Sequence, residues 1–409
     1  MEQENEIIMM SISGEDRPGV TAVLTEVLAK HNALILDIGQ ADIHNNLTLG
    51  ILFQTTGSNS GEVLKDLLFK SYDLNVNIKF NPISEEDYMK WVGMQGRNRY
   101  IITILGRRLT ARQIASVAQI VADQGMNIDD IRRLTGRIPL DETQRAPKAS
   151  VEFSVRGTPR DREEMQMNFM KISADQQMDI SFQEDGMYRR MRRLICFDMD
   201  STLIETEVID ELAIRAGVGD RVKAITEAAM RGEIDFCESF KQRCALLEGL
   251  DVSVMQEIAE NLPITEGVDR LMRILKKVGF KIAILSGGFT YFGNYLKQKY
   301  NIDYVYANEL EIVDGKLTGR HLGDIVDGKR KAELLRLIAQ VENVDIRQTV
   351  AVGDGANDLP MLSIAGLGIA FHAKPKVKEN AQQSISTIGL DGILYFLGYK
   401  DSYLDEKTY

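Results

Sequence analysis

Cysteine is scarce: the 409 residues hold only Cys196, Cys237 and Cys244. The number is odd, the spacing is not that of a metal site, and Cys196 lies inside an apolar run. A disulfide framework is therefore excluded, and a reducing cytoplasmic setting is expected. No apolar run approaches the roughly 20 residues that a membrane-spanning helix needs. The opening MEQENEII is acidic where a secretory leader would be basic and then apolar, so neither export nor a membrane is expected. Basic charge is in deficit as well, with 49 Lys and Arg against 60 Asp and Glu and a formal net charge of −11. That balance disfavours a nucleic-acid partner, whose phosphates are held by basic surface. It leaves room for a small anionic substrate, which needs only local positive charge.

What is present is ordinary globular composition, 44% apolar and 27% charged. The length suggests two to four domains, at typical sizes of about 100–200 residues each. Residues 6–13 read as a strand that breaks at Gly14-Glu15-Asp16-Arg17-Pro18-Gly19. A helical pattern follows in Val20, Val23, Leu24, Val27 and Leu28, then strands at 35–38 and 47–53 with Asn45-Asn46 turning between them. A helix at 60–69 and a strand at 75–80 complete the order βαββαβ. The segment 100–183 repeats the plan, and the apolar positions of 28–38 recur about 93 residues later in 121–131. Pro82 to Asn98 reads as a polar, acidic linker, and Gly136 to Pro147 as a loop within the second copy.

Both copies resemble the ACT fold, a small α+β module that often binds free amino acids where copies meet. The domains so expected are 1–84 and 99–185. In the first copy Gly14, Asp16 and Gly19 resemble that family's ligand loop, in which backbone N–H groups and a helix N-terminus take a carboxylate. The same residues also fit a plain strand-to-helix turn, with Asp16 capping the helix and Pro18 in its first turn. The second copy, reading Gly106-Arg107-Arg108-Leu109-Thr110, lacks the Asp and the Pro-Gly and suits packing. ACT modules usually pair, so a homodimer is expected; pairing of the two copies within one chain is the alternative.

Tyr188 to Arg193 carries four arginines and reads as a solvated basic connector. Beyond it, Leu194-Ile195-Cys196-Phe197 has the continuous apolar character of a buried parallel strand and ends on Asp198 and Asp200. Carboxylates at i and i+2 leave a strand end on one side and raise each other's pKa. A divalent cation with a phosphate alongside resolves that cost. A solvated turn is the plain alternative for any lone Asp-x-Asp. Short helical patterns fill 207–262, after which strands and helices alternate: a helix at 271–278, strands at 282–285 and 304–307, a hairpin at 310–317 turning on Asp314-Gly315, a helix at 331–341, and strands at 349–352 and 367–371. Such alternation implies an α/β fold with a doubly wound parallel sheet, spanning 190–409, with 207–262 as a helical cap insertion.

In such sheets the residues just after each strand meet beyond its carboxyl end. Here these are Asp198 and Asp200, Ser286-Gly287-Gly288, and Gly353-Asp354-Gly355-Ala356-Asn357-Asp358, with Lys331 opening the intervening helix. Carboxylates for a cation, a hydroxyl and backbone N–H groups for phosphate oxygens, and a lysine are what phosphoryl transfer requires. DMDST, SGG, Lys331 and GDGAND, in that order, resemble the motifs of the haloacid dehalogenase superfamily. The resemblance implies that Asp198 is the nucleophile and Asp200 the acid and base. It implies that Mg²⁺ is held by Asp198, Asp354 and the main-chain carbonyl of Asp200, with Asp358 in support. Ser286 and Lys331 would hold the phosphoryl oxygens, assisted by Gly287 and Asn357. The stretches 202–211 and 236–243 resemble the phosphoserine phosphatases. That likeness implies O-phospho-L-serine as substrate, hydrolysed at the last step of serine biosynthesis, with Glu207 facing its ammonium, Arg243 its carboxylate, and Phe236 and Met230 excluding water. An acid in a helix's first turn is the plain reading of Glu207. Two rivals are another small phosphomonoester, such as phosphothreonine or phosphohomoserine, and a non-enzymatic amino-acid sensor.

Overall fold

A computed structural model describes residues 5–94, 96, 98–137 and 148–404. The first four residues of the acidic N-terminal stretch, and 138–147 of the loop expected at 136–147, lie outside the described residues. The chain divides into two compact units at Arg97/Asn98.

The first unit comprises β1 (Asn5–Glu15), α1 (Val20–Lys30), β2 (Leu34–Ile43), β3 (Asn46–Thr56), α2 (Gly57–Asp73), β4 (Val76–Ile83) and α3 (Glu85–Val92). Its antiparallel sheet has the order β2-β3-β1-β4. Alternation along β1 sends Ile8, Met10 and Ile12 to one face, where they pack with Leu24, Leu28, Val63 and Leu67 of the two long helices. The linker expected from Pro82 to Asn98 differs from this. β4 runs on to Ile83, and α3 forms because Ser84 accepts a bond from Asp87 N and Glu85, Glu86 and Asp87 suit a helix N-terminus.

The second unit opens with β5 (Arg99–Gly106), α4 (Ala111–Asp123), β6 (Asn127–Arg133), β7 (Ala149–Arg156), α5 (Arg162–Gln176) and β8 (Asp179–Glu184), in the sheet order β6-β7-β5-β8. The repeat is exact in register: α1 and α4 end at Lys30 and Asp123, and β2 and β6 begin at Leu34 and Asn127, each pair 93 residues apart. The packing differs. From Tyr100 to Gly106 every residue of β5 is buried, because the face turned from α4 and α5 packs on the C-terminal segment that holds Gly392 and Phe396. Leu105 and Leu134 join the core around Phe396.

After α6 (Met187–Arg190) comes β9 (Leu194–Phe197), then the cap helices α7 (Val208–Arg215), α8 (Gly219–Met230), α9 (Phe236–Ala245) and α10 (Ser253–Glu260). There follow α11 (Val268–Lys277), β10 (Lys281–Phe289), α12 (Thr290–Tyr300), β11 (Tyr304–Val313), β12 (Lys316–Leu322), α13 (Gly328–Val341), β13 (Thr349–Gly353), α14 (Leu359–Ile364), β14 (Leu367–Phe371), α15 (Pro375–Asn380), β15 (Gln383–Ile385), α16 (Ile393–Phe396) and α17 (Asp401–Leu404). The seven-stranded order is β12-β11-β10-β9-β13-β14-β15, parallel except for β12. The strand expected at 304–307 and the first arm of the hairpin are one strand, β11. The hairpin turn holds Asp314 at φ 51° and Gly315 at φ 73°, a pair of left-handed residues that matches strand twist.

The basic connector is not solvated throughout. Arg190 and Arg193 are exposed, but Arg189 and Arg192 are buried. Arg189 pairs with Glu152 at 2.8 Å, and Arg192 donates to Thr349 O and Gln183 Oε1. A four-arginine run looks hydrophilic until acceptors arrive from β7, β8 and β13.

Candidate active site

β9 is the central strand, paired with β10 on one side and β13 on the other, so its carboxyl end opens between both neighbours. Asp198 extends the ladder by donating its N–H to Val352 O at 2.8 Å, while its Oδ1 accepts from Met199 N at 2.8 Å. The chain then reverses, with Ser201 at φ 56° and Asp200 bridged to Ile204. Asp198 and Asp200 are both buried.

Lys331 stands in the first turn of α13, which Asp327 caps by accepting from Arg330 N. Its ammonium is fully buried and lies 2.9 Å from Asp198 Oδ1 and 2.7 Å from Asp358 Oδ1. Burial alone would lower its pKa, but those two carboxylates outweigh it and hold the ammonium charged. Asp358 Oδ2 in turn accepts from Gly355 N at 2.9 Å. A Cβ at Gly353 would come within 2.3 Å of that carboxyl carbon, so only glycine ends β13 here. On β10, Ser286 Oγ accepts from Gly288 N at 2.9 Å, and a Cβ at Gly288 would stand 2.6 Å from Asp200 Oδ2. Asn357 is half-buried in the turn after Asp354.

The site is rich in acid. Oxygens of Asp198, Asp354 and Asp358 lie within 4.8 Å of one another. Burial and the charges of Asp198 and Asp358 push Asp354 up to about 8, and burial and Asp198 push Asp358 to about 6 despite Lys331. Asp200 is raised by burial, by Glu207 and by Asp198, and its Oδ1 has no hydrogen-bond partner among the described residues. An all-oxygen donor set whose members repel one another fits a hard divalent cation.

The cap supplies the remaining expected residues. Glu207 precedes α7, and its Oε1 accepts from Ser201 Oγ at 2.8 Å. It stands at the N-cap without a side-chain cap bond, and burial raises its pKa. Arg243 on α9 is half-buried, close enough to Glu207 and Asp200 for their charges to offset part of the lowering that burial imposes. Phe236 packs against Gly287, and the rings continue through Phe240 to Phe289. Met230, expected to exclude water when the cap closes, is 63% exposed at the end of α8, with Lys374 Nζ 3.7 Å from its sulfur.

Two buried residues escaped the sequence reading. Thr202 Oγ1 lies 3.3 Å from Asp354 Oδ1. Asn308 donates to Gly287 O and accepts from Val326 N, both at 2.8 Å, so it ties the Ser286 strand end to the loop leading into α13. Asn308 directly follows the apolar run 304–307, and the same strand-end rule would have found it.

In the first unit, Gly14 faces Val76, where a Cβ would lie 2.9 Å from a methyl, and Asp16 N donates to Asn45 O at 2.8 Å. The expected cap is absent. Gly19, at φ 97°, occupies the N-cap of α1 without a side-chain bond, and Pro18 lies before the helix rather than in its first turn. Asp16 is drawn into the turn against Asn45 and so does not reach the helix.

The chain matches family models at three places: ACT domains at 6–81 and 99–183 and a haloacid dehalogenase-like hydrolase at 192–366. It is 40% identical to a phosphoserine phosphatase of Mycobacterium tuberculosis over 96% of this chain and 93% of that one. It is 39% identical to one of Streptomyces coelicolor over 96% of this chain and 92% of that one. Among solved structures, a probable phosphoserine phosphatase from Vibrio cholerae superposes with a TM-score of 0.58 at 34% identity, covering 75% of this chain and 87% of that one. A haloacid dehalogenase family hydrolase from Salmonella enterica gives 0.62 at 29% identity, covering 75% and 99%. Matched along nearly its whole length, the chain belongs to the phosphoserine phosphatase family of haloacid dehalogenase-like hydrolases, in the form that carries two N-terminal ACT domains.

Proposed function

We propose that this protein hydrolyses O-phospho-L-serine to L-serine and phosphate, the last step of serine biosynthesis. The observation that carries the reading is the buried Asp198–Lys331 pair, 2.9 Å apart at the end of β9, with Glu207 and Arg243 brought to it by the cap. Asp198 attacks phosphorus while Lys331 and Ser286, with Gly287 and Asn357, hold the phosphoryl oxygens. As the phosphorus–oxygen bond breaks, Asp200 gives its proton to the serine alkoxide. Burial and its acidic neighbours favour the protonated form that this step needs. Asp200, now ionised, takes a proton from water, which attacks the aspartyl-phosphate and releases phosphate and Asp198. Asp198, Asp354 and the Asp200 main-chain carbonyl, with Asp358 in support, would hold Mg²⁺, which would supply charge neutralisation at the phosphoryl group. Glu207 meets the substrate's ammonium, and Arg243 its carboxylate through a bidentate fork.

Phosphate release over a panel of phosphoserine, phosphothreonine and phosphohomoserine, with Mg²⁺ and with EDTA, tests this reading. Phosphoserine should have the highest kcat/KM, and EDTA should abolish release. Arg243→Lys should raise KM about tenfold or more, since a lysine cannot form the fork. Preference for another member of the panel would refute the substrate assignment.

The first ACT domain is further proposed to bind a free amino acid at Gly14, Asp16 and Gly19, where the uncapped start of α1 leaves N–H groups available. L-Serine inhibition beyond competition at the active site, relieved in Asp16→Ala, is the expected outcome. A homodimer is supported by β2, an edge strand that exposes Leu34, Ile35, Ile38 and Ile43. No helix among the described residues is long and apolar enough to cross a membrane.

A further inference from the structure

At the amino end of β9, opposite the end that bears Asp198, a cleft of about 340 Å³ opens between the second ACT sheet and the C-terminal helices. Its lining includes Arg132, Arg189, Arg190, Arg192 and Lys400, against the single acid Glu152. Arg190 and Arg132 are each paired outward, with Asp185 and Asp130. Arg189 pairs with Glu152. Among the described residues Arg192 meets no carboxylate: its acceptors are a carbonyl and an amide oxygen, and burial beside Arg189 holds its guanidinium down to about 10. Both inner arginines are more than nine-tenths buried, and among the described residues the Nε of each lacks any acceptor.

Two buried guanidiniums against one carboxylate, which Arg189 takes, are expensive as pure structure, because a buried charge is destabilising unless it is paired and each unmet N–H adds to that cost. An apolar residue at position 192 would avoid that cost. The cleft lies within the size range of small-ligand sites, roughly 300–1,000 Å³. Guanidinium forks are also the groups that take a tetrahedral oxyanion.

We propose that this cleft is a second anion site, which binds a small phosphate-bearing polyanion between Arg189 and Arg192, with Arg132 and Lys400 at its rim. A lone carboxylate would leave most of the lining charge unmatched, whereas a polyphosphate offers several oxygens to several donors. The site sits on the seam between the second ACT sheet and the strand that carries the nucleophile.

Titration calorimetry of the metal-free full chain with pyrophosphate, and with citrate as a carboxylate of similar charge, tests the assignment. One equivalent of pyrophosphate should bind, more tightly than citrate. Binding should weaken about tenfold or more in the Lys400→Glu, Arg132→Glu double variant, whose changes lie at the rim and leave phosphoserine turnover unchanged. Arg192→Gln should lose the binding, with circular dichroism showing a folded chain; should that variant not fold, the rim variant decides alone. No binding, or binding unaltered in the rim variant, would overturn the site, and tighter binding of citrate would overturn its assignment to phosphate.

Discussion

The two acids of the Asp198-Met199-Asp200 turn stand two residues apart in opposite surroundings. Asp198 receives an N–H from Met199 and the ammonium of Lys331. Asp200 is buried with one oxygen unpartnered and Glu207 and Asp198 nearby, which favours the acid. This divergence is what allows one residue to attack while the next carries a proton. Gly288 maintains it by leaving room for the Asp200 carboxyl. Gly288→Ala would drive a methyl to within 2.6 Å of Asp200 Oδ2, so the acid must move. The expected result is a fall in kcat of about 100-fold with the protein still folded, read from steady-state rates beside a thermal melt.

Among the elements, the carboxyl ends of β9, β10 and β13 were legible in the sequence. The apolar runs at 194–197, 282–285 and 349–352 each stop on the residues that the parallel topology then gathers. Legibility failed wherever a partner distant in sequence decides the outcome. Arg189 and Arg192 look solvated until Glu152, Gln183 and Thr349 bury and bond them. The helix α3 was hidden in polar composition, its start signalled only by Ser84 and the three acids after it. Asn308 acts between elements: it carries a carbonyl from β10 and an N–H from the loop before α13. Asn308→Ala would leave the buried Val326 N–H and the half-buried Gly287 carbonyl without this partner and should cost about 2–4 kcal/mol in urea unfolding. Activity should fall too, since the strand end that bears Ser286 loses its tie.

Across the whole molecule, one module used twice meets two fates. In the first copy burial alternates along β1, whereas in the second its counterpart β5 is buried on both faces and the copy is stitched to the phosphatase domain. Phe182 and Gln383 exchange two bonds at 3.0 Å, and Arg107 grips Glu266 at 2.6 and 2.9 Å. The most buried stitch is Asp391, fully enclosed, which accepts from Lys148 at 2.5 and 2.6 Å and from Arg270 at 3.0 Å. Asp391→Ala would strand that cationic pair and should destabilise the second unit by about 3–5 kcal/mol, as judged from its unfolding midpoint. An unchanged midpoint would mean that the seam is held by its apolar contacts alone. The account as a whole stands on Asp198 carrying the phosphoryl group. Rapid acid quench during turnover of phosphoserine, followed by mass spectrometry of the peptide holding Asp198, tests that directly. A phosphate adduct on Asp198 that forms and decays at rates able to support kcat, and that vanishes together with activity in Asp198→Asn, is the predicted result. Turnover without an adduct, or retained by Asp198→Asn, would contradict it.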